Sequence, residues 1–384
     1  MDVGAFTKPS GRLFRTDGVV SFVPSALPPD LSYDTQMAKL LSEAHARLGR
    51  LSGMGILLPN PSLLVLPYLQ REAVLSSKIE GTQVSLKDLM LYEARGRELG
   101  ESHPSVQEVS NHVQALEISL KRVSQTKKKK PIDLQLICEA HRTLLEGVRG
   151  HERNPGRFRT IPNFIGPEGS KIEDARYVPP APKYLDDLLM DLEGFIQHPP
   201  EDMPILIHCA IVHYQFEAIH PFGDGNGRLG RLLIPLLLCH SGELSQPLLY
   251  LSAYLEKHKV EYDERMLKVS QESDWDGWIK FFLKAVATQA TEASENVQRI
   301  LDLMKKFDRR LGKERVSSNV IRLSDLLFSR PLVTAGQVEK MLDVTPSGAQ
   351  SIIDRLVGLG ILRQITSGRY SRVYAASEIL GVLA

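Results

Sequence analysis

A mainly α-helical protein with one small β-hairpin and a C-terminal winged helix-turn-helix is the fold class that three observations predict for this 384-residue chain. Apolar residues recur at helical spacing through most of its middle. The stretch from about 150 to 180 has a different texture, rich in Gly, Pro, Asn and Arg, with two short β-prone pieces. The final seventy or so residues arrange capped helices and short strands in winged-helix order.

The elements follow in chain order. The first thirty residues carry Pro24, Pro28 and Pro29 among Gly and Ser, and read as an extended arm. Met37, Leu40, Leu41, Ala44 and Leu48 mark a helix over about 34–51. After the break at Leu58-Pro59-Asn60-Pro61, a second helix is predicted over 67–79, stopped by Gly81. A third is predicted over 105–123. The lysines at 127–130, closed by Pro131, read as a solvated loop. His141 falls on a helix over 133–145. Arg159-Thr160-Ile161 and Ala175-Arg176-Tyr177-Val178 are expected to pair as a hairpin. Helical patterns resume at 183–196, 203–218, 229–239, 250–268 and 275–308, and 309–318 reads as a linker. Thr334 and Thr345 are candidate N-caps for helices over 335–342 and 346–357. Strands at 361–365 and 373–375 then flank a wing at Ser367-Gly368-Arg369. The expected division is 1–105, 106–310 and 311–384.

Composition narrows the function classes. Apolar residues make up 42% and charged residues 24%, enough to build cores and too apolar for a disordered chain. Lys and Arg number 47 against 46 Asp and Glu, a net charge of +1. Binding nucleic acid by bulk charge needs far more, so any bound anion must meet a local cluster. Cys138, Cys209 and Cys239 form no C-x-x-C pair, which argues against structural zinc or a disulfide framework. The N-terminus lacks a secretory apolar core, and the longest apolar run, 232–239, is too short for a bilayer. The expected setting is intracellular and soluble.

The local cluster is His220-Pro221-Phe222-Gly223-Asp224-Gly225-Asn226-Gly227-Arg228-Leu229-Gly230-Arg231, between two helical patterns. Gly225 and Gly227 permit unusual backbone angles, so amide N–H groups can converge on one concavity. The following helix adds the positive end of its dipole. Arg228 and Arg231, three apart, share a helix face. Together they make an anion nest with two guanidinium clamps, suited to a polyphosphate. Asp224 offers a hard oxygen for Mg²⁺, and His220 is the neutral-pH base nearby. A dinucleotide fingerprint is formally present at Gly225-x-Gly227-x-x-Gly230. It lacks the preceding strand, and Ser245 stands where an acidic residue would be required. A P-loop is excluded because no Gly-Lys-Ser/Thr follows.

At every fixed position this segment resembles the signature of the Fic (filamentation induced by cAMP) family, H-x-F-x-[D/E]-G-N-G-R-x-x-R. Gly156-Arg157-Phe158-Arg159 and Tyr177-Val178-Pro179-Pro180 resemble the family's target-docking flap and the stretch after it. Segments around Asn111, His141 and Trp278 resemble its helical core, over roughly 100–310. The N-terminal region and the winged helix resemble a bacterial architecture of the same family.

The resemblance implies a Fic-type helical bundle that transfers AMP from ATP to a Tyr, Thr or Ser hydroxyl of a target protein. His220 would take the hydroxyl proton, and Asp224 would hold Mg²⁺. Asn226 and the Gly225 and Gly227 amides would cradle the α/β-phosphates, with Arg228 and Arg231 on the β/γ portion. Phe222 would anchor the loop. Arg159, Thr160 and Ile161 would form the docking flap. Ser76, Glu80 and Gly81 resemble the inhibitory motif [S/T]-x-x-x-E-[G/N], in which Glu80 would pair with Arg231. Thr291-Glu292-Ala293-Ser294-Glu295-Asn296 also fits that pattern, but the surrounding sequence favours Glu80.

Other readings stay open. The same site can remove AMP if Glu80 positions a water, can modify its own chain, or can transfer another nucleotide or phosphoryl group. The chain can instead be a DNA-binding regulator that senses nucleotide. From Gly312 to the end, nine Lys and Arg face six Asp and Glu, a thin footprint for DNA. Arg363, Arg369 and Arg372 with Gln350, Ser351 and Arg355 are the candidate DNA contacts; a protein partner or a homodimer is the alternative. No membrane partner is expected. His208 and His213 are five apart on different helix faces, and Trp275 and Trp278 read as packing.

Overall fold

Two helices almost without solvent contact carry the functional loop between them. The sequence ILIHCAIVHYQFEAI, apolar all round, forms α7 (Ile205–Ile219), and NGRLGRLLIPLLLCHS forms α8 (Asn226–Ser241). A helix apolar on every face belongs inside a bundle. The other helices surround this pair in a computed structural model that describes every residue except 57, 59–61, 96–103, 124–130, 167, 168, 170, 367–371 and 384.

In chain order these are α1 (Thr35–Ile56), α2 (Ser62–Ile79), α3 (Leu86–Arg95), α4 (Pro104–Val123), α5 (Leu134–Leu144) and α6 (Leu185–Gln197). After α8 come α9 (Ser252–Lys257), α10 (Lys259–Glu272) and α11 (Trp275–Gly312). α4 packs on α5, α8 and α2; α6 packs on α7; α11 packs on α1, α7 and α10. At 1.5 Å per residue the 38 residues of α11 extend about 57 Å. One continuous apolar core runs from α1 into the C-terminal module. Trp278 lies in it, its indole N–H donating to the Ala210 carbonyl at 2.9 Å. His208 is a satisfied core histidine against the Phe195 carbonyl at 3.0 Å.

The C-terminal module is a winged helix. It comprises α12 (Ser318–Leu326), α13 (Ala335–Leu342), α14 (Pro346–Gly358) and α15 (Ser377–Leu383). Its strands β3 (Leu332–Thr334), β4 (Arg363–Gln364) and β5 (Val373–Ala375) form an antiparallel sheet in the order β3-β5-β4. Thr334 accepts the Gln337 N–H and Thr345 the Gly348 N–H, so both expected caps are made. The wing tip around Arg369 and the lysines at 127–130 fall outside the described residues.

Several expectations need correction. The N-terminal arm contains a hairpin, β1 (Gly11–Thr16) paired with β2 (Val19–Pro24). Asp17 and Gly18, both at positive φ, form its two-residue turn. Asp-Gly between β-prone runs is the local signal, and the neighbouring prolines obscured it. The second helix begins at Ser62 and contains Pro67, which costs it one internal hydrogen bond. α3 was missed. The 250–268 pattern breaks at His258 into α9 and α10. α11 continues through the expected linker to Gly312. The hairpin of 159–161 with 175–178 is not formed; the pairing is a single bridge, Ile165 to Tyr177.

Candidate active site

α7 ends in an abrupt reversal. Its C-cap is His220, at φ 50 and ψ 59, a left-handed conformation that glycine usually takes. A residue with a Cβ costs about 1–2 kcal/mol there. The conformation is held by the His220 N–H on the Phe216 carbonyl at 2.9 Å. Five residues later Gly225, φ 76, is the N-cap of α8, with no side-chain cap on its first turn. The loop therefore turns a histidine and an open helix N-terminus toward one cleft of about 380 Å³. Glu80, Glu217, Gly227, Arg231 and Tyr262 line it with His220, and Phe164 and Ile165 form its rim.

The ring of His220 is oriented by backbone. Its Nδ1 lies 3.3 Å from the Glu217 carbonyl, which can only accept, so Nδ1 carries the hydrogen and Nε2 keeps its lone pair. Burial, then the charge of Arg159, pushes the imidazole down to about 4. At neutral pH it is an uncharged base.

The loop is braced from inside. Asn226 accepts the Phe222 N–H and donates to the Phe222 carbonyl, both at 2.9 Å. The Phe222 ring is buried and stacks on His141 at 3.8 Å. His141 accepts the Gly156 N–H at Nδ1, 2.8 Å, which leaves its Nε2–H to donate to the Asp224 carbonyl, 2.9 Å. Burial holds His141 down at about 4, so this neutral two-sided bridge persists at neutral pH. Arg159 donates to the carbonyls of Pro180, His220 and Ile219 at 2.6, 2.8 and 3.3 Å. Two expectations are corrected here. The Asn226 side chain is committed to the loop and does not face a phosphate. Arg159 is buried under the loop, while Thr160 and Ile161 are exposed beside it.

The two arginines diverge. Three residues correspond to 300° around a helix, so their side chains leave about 60° apart. Arg228, fully buried, turns to Glu108 on α4 and stands 3.6 Å from Asp224. It does not line the cleft, contrary to the shared face expected. Arg231 turns to α2, donating to Ser76 Oγ at 2.8 Å, to the Ser76 carbonyl at 3.0 Å and to Glu80 Oε1 at 2.7 Å. Burial works against both charges of this pair. Nevertheless Arg231 holds the Glu80 carboxyl below its ordinary value, and Glu80, Tyr262 and Glu217 raise the guanidinium.

Gly227 explains how the carboxylate fits. It is helical rather than strained, but a Cβ there would lie 2.2 Å from Glu80 Oε1. Glu80 thus rests directly on the first turn of α8. Gly81, at φ 93, ends the helix just beyond it. The second inhibitory candidate is elsewhere: Glu295 pairs with Arg299 at 3.7 Å on the exposed side of α11.

Asp224 has a side chain 34% exposed; it accepts the Gly225 N–H at 2.6 Å, so that amide is already occupied. Among the described residues no group of three or more His, Cys, Asp or Glu is placed to hold a metal. Glu217 was not foreseen. Burial, then the charges of Glu80 and Asp263, raises its carboxyl to about 8 against the pull of Arg231, so it is neutral at pH 7. Glu108 and Glu217 escaped notice, and His141 was placed on a helix without a role, because each sits in an ordinary helical pattern and their partners lie elsewhere in the chain. His213 donates or accepts at the Tyr262 hydroxyl, 2.7 Å, behind the cleft wall.

Three family models match parts of this chain. The model described as Fic/DOC family N-terminal matches residues 38–121, and the Fic/DOC family model matches 131–238, half of the chain between them. An HTH DNA binding domain model matches 321–372. A protein adenylyltransferase Fic of Nematostella vectensis is 34% identical over 141 residues, 34% of this chain and 29% of that protein. Its namesake in Aedes aegypti is 30% identical over 217 residues, 53% of this chain and 37% of that protein. The chain spans about a third of the length of these curated relatives. A Fic family protein from Desulfovibrio desulfuricans G20 superposes with a TM-score of 0.58 at 18% identity, covering 91% of this chain and 98% of that one. Fic-1 of C. elegans, residues 134–508, gives 0.51 at 22% identity, covering 70% and 73%. At these identities the structural likeness is one of fold.

Proposed function

The chain belongs to the Fic/DOC family, and from that premise we propose that it transfers AMP from ATP to a hydroxyl side chain of a protein, itself included. The observation that carries this reading is the neutral His220 with a free Nε2, set beside an uncapped helix N-terminus in one cleft. The curated name of the relatives, protein adenylyltransferase, supports the choice of nucleotide.

The target hydroxyl approaches His220 across the rim at Phe164 and Ile165. Nε2 takes its proton as the oxygen bonds to the α-phosphorus. The bond from that phosphorus to the bridging oxygen breaks, and pyrophosphate leaves. The protein contributes position and electrostatics, the usual means of phosphoryl and nucleotidyl catalysis. The first turn of α8 stabilises the α/β-phosphates, and Arg231 the terminal one. Arg228 acts from beneath, paired with Glu108 and holding Asp224 in place. One partly exposed carboxylate suits Mg²⁺, which commonly takes one or two carboxylates with substrate phosphates; Asp224 would hold it, and it would neutralise phosphate charge.

Inhibition is part of the proposal. With Glu80 on Arg231 and over Gly227, a carboxylate occupies the place a terminal phosphate needs. An Arg–carboxylate pair is well suited to such a block. Activation then requires the end of α2 to move away. The same carboxylate, left in place, can orient a water for removal of AMP. ATP supply makes the cytoplasm the compartment this reading implies; no helix among the described residues is long and apolar enough to cross a membrane.

A second reading has one observation in its favour, the HTH match at 321–372. In it the chain regulates DNA and senses nucleotide without turnover. ATP labelled at the α- or γ-phosphate separates the two. Protein-bound label from the α position, lost in His220→Ala, is expected. Label from γ alone means phosphoryl transfer, and no covalent label in either case favours the regulator.

A further inference from the structure

The inhibitory helix is joined to the winged helix through α3. Directly after Glu80 and Gly81 the chain turns into α3, whose Leu89, Met90 and Ala94 are buried. α3 meets α2 and α4 as well as β3, the first strand of the winged helix, while α15 rests on α2 itself. The inhibitory helix therefore cannot swing out without disturbing contacts made by the C-terminal module.

Polar groups fix this junction. Gln70 of α2 is buried and donates from Nε2 to the Glu93 carboxylate of α3 at 2.5 Å. Gln337 of α13 donates from its Nε2 to the Glu93 backbone carbonyl at 3.1 Å. The other end of the Gln337 amide is occupied in the capping box, accepting the Thr334 N–H at 3.1 Å. One residue of α3 thus receives a hydrogen bond from the inhibitory helix and another from the cap of the first helix of the helix-turn-helix. Burial raises the Glu93 carboxyl to about 7, Glu117 adds to this, and Arg330 and Gln70 oppose it. A carboxyl so placed depends on its partners, and losing one leaves a buried polar group unmet.

We propose that the winged helix is a lock on the AMP-transfer site: its seat on α3, made by Gln337 and relayed by Glu93 and Gln70, holds α2 in the position where Glu80 covers Arg231. The inference rests on the inhibitory role of Glu80 argued above. Anything that shifts β3 and α13 then shifts the block. By reciprocity, freeing the end of α2 loosens the seat of α13.

Two variants in the full chain test it without dismantling the fold. Gln337→Glu keeps the capping acceptor for Thr334 but removes the donor and opposes a carboxylate to the Glu93 carbonyl. Gln70→Met keeps length and apolar volume without a donor. Each is expected to raise self-labelling from α-labelled ATP about two- to tenfold, the range of one buried hydrogen bond. In a Glu80→Gly background neither is expected to add anything. Amides of α13 should exchange faster in Glu80→Gly than in the unaltered protein. The lock is overturned if both variants label at the unaltered rate while Glu80→Gly labels faster, if they raise both backgrounds equally, or if α13 exchange is unmoved. Failure of the underlying inhibition shows differently: Glu80→Gly itself leaves labelling unchanged, and the lock has nothing to hold.

Discussion

His220 is usable as a base because three separate features agree on its state. The left-handed cap points the ring into the cleft, the Glu217 carbonyl fixes the tautomer, and burial keeps the ring uncharged. Glu217 itself is held protonated beneath Gly230 and Arg231, and this has a consequence for stability. Its folded value is about 8 against an ordinary 4.5, so between those limits the unfolded chain releases a proton that the folded chain keeps. Its contribution is full below pH 4.5 and lost as pH rises to about 8. Glu217→Gln, which cannot ionise, is expected to flatten the fall in melting temperature across that window; an identical fall in both proteins contradicts the buried neutral carboxyl. At this scale the motif was legible because its members are adjacent. The braces were not. Glu108 and His141 reach the loop only through packing of α4 and α5 on α8, and no spacing in the chain announces that. The side chain of Asn226 also could not be read from the motif, since an amide at a helix start serves a phosphate or its own loop equally well.

Among the elements, α2 carries the inhibition we propose. Its last turn carries Ser76 and Glu80 on one face, four residues apart, so hydroxyl and carboxylate meet the same guanidinium. Lys78, between them, points away to Glu256 at 2.8 Å. Glu80→Gly removes the carboxylate and leaves Ser76 on Arg231. Self-labelling is expected to rise on the order of a hundredfold, the effect of restoring one charge contact at the transition state. An unchanged rate in a steady-state labelling assay contradicts the block. The periodic helices α1, α4 and α11 are legible in the sequence, although α1 runs on to Ile56 and α11 to Gly312, past the expected ends at 51 and 308. α3 is short and follows Gly81 closely, and the β1–β2 turn lies among prolines. His258 interrupts one helical pattern without any Gly or Pro to mark it, which is why α9 and α10 read as one.

Across the whole molecule, a balanced charge is reconciled with anion chemistry by concentration. The net +1 hides a cleft in which one guanidinium, one helix terminus and one neutral base converge. The winged helix shares that balance: Arg355 is engaged by Glu314 at 2.5 Å, and Arg310 by Glu378 at 2.7 Å. Long α11 and the continuous core connect this module to the helices around the cleft, so the lock we propose rests on packing rather than on charge. AMP transfer by His220 restrained by Glu80, as we propose, is tested most directly by intact-protein mass spectrometry. Glu80→Gly incubated with ATP and Mg²⁺ is expected to gain whole AMP increments that the Glu80→Gly, His220→Ala double variant lacks. A phosphate increment, an unmodified mass, or AMP retained in the double variant would contradict it.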